Sequence, residues 1–393
     1  MRAGMRIVSF CPRYLPVLAG GETGAHGIHR ALVERGHEVS VVTATQCVER
    51  RARKMLHGVE VFHGRIRPAH LRYVEDIRPH VLFAQFEQAV PTIRVAMSTG
   101  LPVVILCHGP YGYTELSEAG LAQAVDLFVF NSTFLLNLAN RNVHHVVVSP
   151  PVDIDRVRAP AGAERRYAAT LVNLFINKGP HVLYELARRM PRRMFLGVRG
   201  GYGEQDERSL PNVDLIDPTP DLGKVYGTSR VVLMPSAEES FGMVAVEAQS
   251  NGVPVIASNL PSLRESLGTG AFFVDREDLD GWEGALRLLD DDCTYDEASR
   301  RARENVERFD TRRDAADLEV ALEAMLRRWR WRQRPSLHRL EEQRAERVRR
   351  VREIVWRAAR REPSQAELLA LVDGTHSIAE LERLAPRLVA PYA

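Results

Sequence analysis

The sequence contains few of the features that would tie it to disulfides, metals or membranes. Its four cysteines, Cys11, Cys47, Cys107 and Cys293, form no CxxC pair and have no histidine at metal-ligand spacing. We therefore expect neither a disulfide framework nor a zinc site, and a reducing cytoplasm fits this pattern. No apolar run is long enough to span a membrane, and the run before Ser9 is too short for a signal peptide. The sequence predicts a soluble, cytoplasmic protein.

The sequence also contains few lysines, and its net charge is small. Lys54, Lys178 and Lys224 are the only lysines, and all other positive side chains at neutral pH are arginines. The formal net charge is +2, with 26% charged and 45% hydrophobic residues, which is the composition of a globular protein. A charge so near zero gives no reason to expect nucleic acid or an anionic membrane as a partner.

The chain does contain a regular succession of short apolar runs. The runs in its first part lie at residues 7–10, 39–42, 81–83, 103–106, 127–130 and 146–148. Segments of helical period lie between several of them, which is typical of parallel strands buried on both faces and joined by crossover helices. The pattern predicts a doubly wound α/β domain over residues 1–158.

The same succession restarts after a polar segment that contains Pro150, Pro151 and Pro160. Its runs lie at residues 171–172, 195–198, 231–234, 255–257 and 272–274, and they predict a second α/β domain over residues 159–310. Two such domains leave a cleft between them, and ligands of parallel sheets bind at the carboxyl ends of the strands. The cleft is therefore where we expect the functional site.

The predicted strands stop after Asp310, and the rest of the sequence has helical character. We expect a helical return segment over residues 311–335 and a helical appendage over residues 336–393. Residues 337–361 form a predicted Arg/Glu-rich amphipathic helix, and Ser364 and Ser377 each begin a capping box. A partner surface, a patch for anionic lipid acceptors and packing across the cleft all stay open as roles for the appendage, but Arg paired with Glu along one helix favours a plain solvated face.

Residues 235–258 carry two carboxylates in a predicted strand–turn–helix segment. Glu239 lies in the polar turn, and the helix is predicted to start near Phe241 or Gly242. Eight positions make a little over two helical turns, so Glu247 faces the same side as the turn that holds Glu239. Carboxylates placed in this way can accept hydrogen bonds from sugar and ribose hydroxyls. The alternative is a helix cap at Glu239 and a solvated carboxylate at Glu247.

This segment also resembles the signature of a known family. The two glutamates stand in order with Phe241-Gly242, Glu247-Ala248 and Gly252-Val-Pro-Val255, as in the retaining glycosyltransferases called family four, which have the GT-B fold of two Rossmann-like domains. In that family the first Glu contacts the donor sugar and the second contacts the ribose. The resemblance implies donor contacts for Glu239, Ser240, Phe241, Gly242, Met243 and Glu247.

Two further places agree with the family pattern. Gly20 and Gly21 follow the first predicted strand and precede a helix, as the family's first glycine-rich loop does. Glycine at that place lets the backbone approach a diphosphate, although a simple turn is the alternative. His108 closes the fourth predicted strand, where the family often has a histidine near the donor sugar, and a purely structural histidine is the alternative.

Lys178 and Gly179 resemble the Lys-Gly pair that opens the family's second domain, where the lysine contacts the donor phosphates. A fixed cation there stabilises the charge that builds up as a nucleoside diphosphate departs. The family commonly has Arg five residues upstream, but this sequence has Asn173, which carries no charge. We hypothesise that Arg199, at the end of a predicted strand and before two glycines, compensates. Unchanged donor affinity and turnover in Arg199→Ala would refute this.

The resemblance implies a metal-independent transfer with retention, in which the leaving phosphate helps to take the acceptor proton. Glu239, Lys178 and His108 are then the catalytic residues, and a nucleotide-diphosphate sugar is the co-substrate, with no cofactor and no metal site. The acceptor stays open among the small molecules and glycans of bacterial natural-product or glycoconjugate biosynthesis. A nucleotide-sugar hydrolase or epimerase, and a nucleotide-sugar-binding partner subunit without turnover, are the alternatives. Asn173 favours the second of these.

Overall fold

The chain folds into two α/β domains followed by long helices. The structure, a computed structural model, describes residues 4–17, 19–43, 52–63, 70–109, 111–139, 142–201, 203–329, 337–359 and 361–363. Every strand predicted from the sequence is present within these ranges, and the predicted fold of two doubly wound domains with a helical C-terminal part is confirmed.

The first domain is built on an eight-stranded sheet of order β3-β4-β2-β1-β5-β6-β7-β8. Its strands are β1 (Arg6–Cys11), β2 (Glu38–Thr43), β3 (Ala52–Leu56), β4 (Val59–His63), β5 (Val81–Gln85), β6 (Val103–Cys107), β7 (Leu127–Phe130) and β8 (His145–Val147). Its helices are α1 (Gly20–Glu34), α2 (His70–Ile77), α3 (Ala89–Thr99), α4 (Tyr111–Glu118) and α5 (Thr133–Leu138). The strand order reverses between β1 and β5, so the segments that follow β1, β5 and β6 border the crevice.

The second domain repeats this plan with six parallel strands in the order β11-β10-β9-β12-β13-β14. The strands are β9 (Ala169–Val172), β10 (Phe195–Val198), β11 (Val213–Ile216), β12 (Val232–Met234), β13 (Val255–Ser258) and β14 (Ala271–Val274). The helices are α6 (Ile154–Val157) in the connection, then α7 (Pro180–Arg189), α8 (Leu222–Thr228), α9 (Met243–Ser250), α10 (Pro261–Leu267), α11 (Leu279–Leu288) and α12 (Asp292–Val306). The order reverses between β9 and β12, which places the segments after these strands at the cleft.

Three strands were missed by the sequence reasoning, and all lie at or next to a sheet edge. β3 and β4 form an antiparallel hairpin at one edge of the first sheet, and β11 is an edge strand of the second. β4 alternates between buried and half-buried residues, and β11 is half-buried throughout. Such strands lack the continuous apolar runs that mark strands buried on both faces.

The chain returns to the first domain after the second is complete. Helix α13 (Thr311–Trp329) packs Leu318, Leu322 and Met325 into the core of the first domain. A further helix, α14 (Leu337–Ala359), follows, while the capping boxes predicted at Ser364 and Ser377 lie outside the described residues. In the part of the chain that the structure describes, no helix combines the length and apolar content needed to cross a membrane.

Candidate active site

A cleft of about 320 Å³ lies between the two domains, at the carboxyl ends of β9, β10 and β12. Every residue that the sequence predicts for the site lines this cleft. Residues separated by more than 200 positions are brought together because both switch points of strand order face the same space. The individual roles of these residues stay predictions.

The signature turn enters helix α9 through a left-handed residue. Gly242 has φ 85° and precedes Met243, the first residue of the helix. A Cβ on Gly242 would lie 2.6 Å from Leu263 Cδ2, so both the backbone angle and the space require glycine. Phe241 is buried against Phe309, with ring centroids 5.3 Å apart. The side chain of Phe241 therefore anchors the turn, which leaves backbone groups of the turn to face a ligand.

Lys178 and Glu239 form an ion pair on the cleft wall. The Lys178 ammonium donates to Glu239 Oε1, and Ser236 Oγ donates to the same oxygen at 3.0 Å. The lysine side chain is 31% exposed and that of the glutamate 11%. The pair thus presents a fixed cation and a fixed carboxylate side by side, which suits a ligand that carries both phosphate and hydroxyl groups.

Glu247 lies deeper in the same wall and is 4% exposed. Its Oε2 accepts a hydrogen bond from the hydroxyl of Tyr226 at 2.7 Å, and its Oε1 lies 3.7 Å from Arg156 Nη2. Burial raises the pKa of the Glu247 carboxyl, while the Tyr226 hydrogen bond and the Arg156 charge act in the opposite direction. Tyr226 was not predicted from the sequence, because nothing near it in the chain marks a partner 21 residues away.

Replacing Tyr226 with phenylalanine tests this arrangement. Loss of the hydroxyl removes the hydrogen bond that favours the ionised carboxylate, so the pKa of Glu247 rises further. If ionised Glu247 accepts hydrogen bonds from the ribose of a donor, as the family resemblance implies, donor affinity should fall by about tenfold at neutral pH. The loss of affinity on acidification should also begin at a higher pH than in wild type. A pH series of donor KM measures both effects, and an unchanged pH profile would contradict the assignment.

Ser240 joins the two domains beside the signature turn. Its hydroxyl donates to the backbone carbonyl of His108 at 2.6 Å and accepts from Asn131 Nδ2 at 3.1 Å, while its carbonyl accepts from Ser132 Oγ at 2.9 Å. Nearby, the Glu265 carboxylate accepts two backbone N–H groups at the start of α5, at 2.7 and 2.6 Å. The Ser240 side chain thus contacts the first domain. Its backbone N–H is the group left to donate a hydrogen bond to a ligand.

His108 lies half-buried at the end of β6 and faces the cleft. Its Nε2 hydrogen-bonds with Gln85 Oε1 at 2.7 Å, and its ring packs on Phe86 at a centroid distance of 5.5 Å. Burial lowers the pKa of His108 to about 4. The imidazole is therefore neutral at physiological pH, so it can exchange hydrogen bonds with a sugar but cannot supply charge to a phosphate.

The glycine pair at the start of α1 lines the cleft, but the two residues differ in their surroundings. A Cβ on Gly21 would lie 2.5 Å from Phe86 Cζ, whereas a Cβ on Gly20 would have no neighbour within 4 Å. Packing against the Phe86 ring is therefore one reason for the glycine at position 21. The space beside the Gly20 backbone is open.

Asn173 shapes the loop that carries Lys178. Its backbone is left-handed, with φ 76°, and its Oδ1 accepts the backbone N–H of Phe175 at 3.1 Å. Asparagine tolerates this conformation better than arginine, and a short side chain that binds its own backbone two residues on is the usual reason for its presence in a turn. This local role gives a physical reason for the uncharged residue at this position.

Arg199 lines the cleft, but its guanidinium is already paired. Its Nε and Nη2 donate to the two carboxylate oxygens of Glu207 at 2.8 and 2.9 Å, and its Nη1 donates to Asp217 at 3.0 Å. The guanidinium is therefore engaged by two carboxylates in this structure. These contacts give no support to the hypothesis that Arg199 compensates for the missing arginine at position 173.

In the described part of the chain, no cluster of three or more metal-binding side chains is found.

Comparison with family models agrees with the two-domain division of the chain. Residues 18–156 match the model described as Glycosyltransferase Family 4, and residues 153–308 match the model described as Glycosyl transferases group 1. The two matches meet in the connection that carries α6. They begin after β1 and end before α13, so β1, α13 and α14 lie outside them.

Curated relatives with similar sequences carry the name D-inositol 3-phosphate glycosyltransferase. The one from Corynebacterium urealyticum is 34% identical over 182 residues, which cover 37% of this chain and 43% of the relative. The one from Saccharomonospora viridis is 34% identical over 214 residues, which cover 45% of this chain and 50% of the relative. The chain thus spans about half the length or less of the curated relatives it matches.

Solved structures show the same architecture. The sucrose-phosphate synthase of Thermosynechococcus elongatus aligns with a TM-score of 0.69 at 15% identity, over 81% of this chain and 99% of that one. Anabaena HepE, solved in complex with UDP and glucose, aligns with a TM-score of 0.66 at 17% identity, again over 81% and 99%. At these identities the likeness concerns the fold, which is GT-B.

Proposed function

We propose that this chain, whose two Rossmann-like domains match glycosyltransferase models, is a retaining, metal-independent glycosyltransferase that uses a nucleotide-diphosphate sugar. The observation that carries the proposal is the contact between Lys178 and Glu239 on the cleft wall, with Glu247 buried in the same wall. In this proposal Lys178 binds the phosphate, Glu239 the sugar and Glu247 the ribose of such a donor. Their chemistry fits it as well, since a cation suits phosphate and carboxylates suit hydroxyl groups.

In this proposal the protein contributes positioning and charge stabilisation. The bond between the anomeric carbon and the diphosphate oxygen breaks, and the acceptor oxygen bonds to that carbon on the same face. The acceptor proton passes to an oxygen of the leaving diphosphate. Lys178 stabilises the negative charge on that group, and Glu239 orients the sugar through its hydroxyls. Neutral His108 contacts the sugar from the first domain.

The acceptor is the part of the reaction for which the relatives offer a starting point. D-inositol 3-phosphate glycosyltransferases match residues of this chain at 34% identity, so D-inositol 3-phosphate is the first acceptor to test. UDP occurs in the HepE structure, so UDP-sugars come first among the donors. GDP- and ADP-sugars complete the donor panel, because the residues of the cleft alone do not select a base.

The test is a turnover assay with each donor and acceptor in the presence of EDTA. Products are identified by mass spectrometry, and the configuration of the new glycosidic bond is read by NMR. We expect transfer without added metal and a product that keeps the anomeric configuration of the donor. An inverted product would contradict retention, and turnover that requires restored Mg²⁺ would contradict metal independence. Donor consumption without an acceptor product would instead indicate a hydrolase, and binding without turnover a partner subunit.

A further inference from the structure

The cleft has little free positive charge for a diphosphate. Among the described residues that line it, the lysine and arginine side chains are those of Lys178, Arg199 and Arg156. Lys178 is paired with Glu239, and Arg199 is held by two carboxylates. The α1 N-terminus adds only about half a charge. A donor that carries two phosphates would therefore need the third cation.

Arg156 forms a looser ion pair than the other two cations, with the buried Glu247 carboxylate as its partner. Its side chain is 34% exposed, and its Nη2 lies 3.7 Å from Glu247 Oε1, beyond hydrogen-bond distance. Among the described residues its guanidinium has no hydrogen bond to a carboxylate, in contrast to those of Arg199 and Arg30. It also lines a second cavity of about 1070 Å³ between α1 and the β3–β4 hairpin. The side chain thus has room to turn.

The backbone that carries Arg156 is fixed from both domains. Asp153 caps α6 by accepting the Arg156 N–H at 3.2 Å, and it accepts from Arg30 Nη1 of helix α1 at 2.6 Å. On the other side, Asn251 Nδ2 donates to the Val157 carbonyl at 2.9 Å. Asn251 lies directly after α9, so the helix that holds Glu247 also positions Arg156. These contacts hold the backbone at Arg156 between the two domains.

We propose that Arg156 is a donor-binding residue that contacts the diphosphate and supplies the charge absent at position 173. Thr23, in the first turn of α1, lines the same two cavities as Arg156. The guanidinium is therefore on the side of the cleft where Gly20 begins the helix, and where backbone N–H groups attract phosphate. When the ribose takes the Glu247 carboxylate, Arg156 is released toward the phosphates. The proposal rests on the proposed use of a nucleotide-diphosphate donor.

The test is a calorimetric titration of wild type, Arg156→Gln and Arg156→Lys with UDP, GDP and ADP and with the corresponding nucleosides. The matched control is Arg158→Gln, two residues away, whose exposed side chain pairs with Asp155 and lines neither cavity. We expect Arg156→Gln to weaken binding of the nucleoside diphosphate by about tenfold and to leave nucleoside binding unchanged. Arg156→Lys should recover part of the loss, and Arg158→Gln should behave as wild type.

The possible outcomes separate this inference from the proposed function. If wild type binds a diphosphate and Arg156→Gln binds it equally well, the inference is wrong and the proposed function stands. If diphosphate and nucleoside weaken by the same factor, Arg156 acts on the ribose through Glu247, and the inference is likewise wrong. If wild type binds none of the nucleotides, the proposed function fails and the inference fails with it.

Discussion

A Lys178→Gln variant should lose about 100- to 1000-fold in kcat, the range observed when one preorganised group that stabilises developing charge is removed. Lys178 is one of three lysines in the chain and lies against Glu239 in the cleft. Glutamine keeps the length and polarity of the side chain but not its charge. The leaving diphosphate carries more negative charge in the transition state than in the bound donor, so kcat should fall more than donor affinity.

Lys224→Gln is the control for this prediction. Lys224 is 73% exposed, pairs with Asp221 and does not line the cleft, so its loss should leave kcat and KM unchanged. Steady-state kinetics of both variants with the preferred donor measures the difference. A Lys178→Gln enzyme that keeps kcat within about threefold of wild type, with its fold verified by circular dichroism, would show that the lysine only pairs with Glu239.

A Glu247→Gln variant should raise the donor KM by about 10- to 100-fold, because a hydrogen bond to a charged group contributes about 1.5–3 kcal/mol. The amide keeps the shape of the side chain, and its oxygen can still accept from Tyr226. The variant therefore removes the charge without leaving a cavity in the buried wall. Ribose contacts are the same in the ground state and the transition state, so kcat should change little.

The neighbouring Glu238 provides the matched control for this variant. It is exposed and does not line the cleft, so Glu238→Gln should keep the wild-type KM. A Glu247→Gln protein with a lowered kcat and an unchanged KM would contradict the ribose assignment. It would place Glu247 instead among the groups that act only in the transition state.

The central strands and the signature turn could be predicted from the sequence because both depend on local patterns. Strand β6 is buried along its whole length, and such strands appear in the sequence as continuous apolar runs. The signature from Glu239 to Glu247 is contiguous, so its turn and helix could be located to within two residues of the observed start at Met243. The edge strands β3 and β11 were missed because half-exposed strands have no such pattern.

The parts of the site that depend on contacts between distant residues could not be predicted. Tyr226 reaches Glu247 from another helix, and the pairing of Arg199 with Glu207 and Asp217 involves loops whose course the sequence does not indicate. Position in the chain suggested Arg199 as a phosphate ligand, and nothing in the sequence indicated the two carboxylates that pair with it. Asn173 was identified as a departure from the family, and only its left-handed backbone explains why an asparagine stands there.

Calorimetric titration of wild-type protein with UDP, GDP and ADP and their sugars in EDTA, repeated on Glu247→Gln, tests the central claim most directly. If the cleft binds a nucleotide-diphosphate donor without metal, nucleotides of one of the three bases should bind to the wild-type protein. The Glu247→Gln variant should bind the same nucleotides at least tenfold more weakly. If no nucleotide binds to folded wild type, or if the variant binds as tightly, the cleft is not a donor site of the proposed kind.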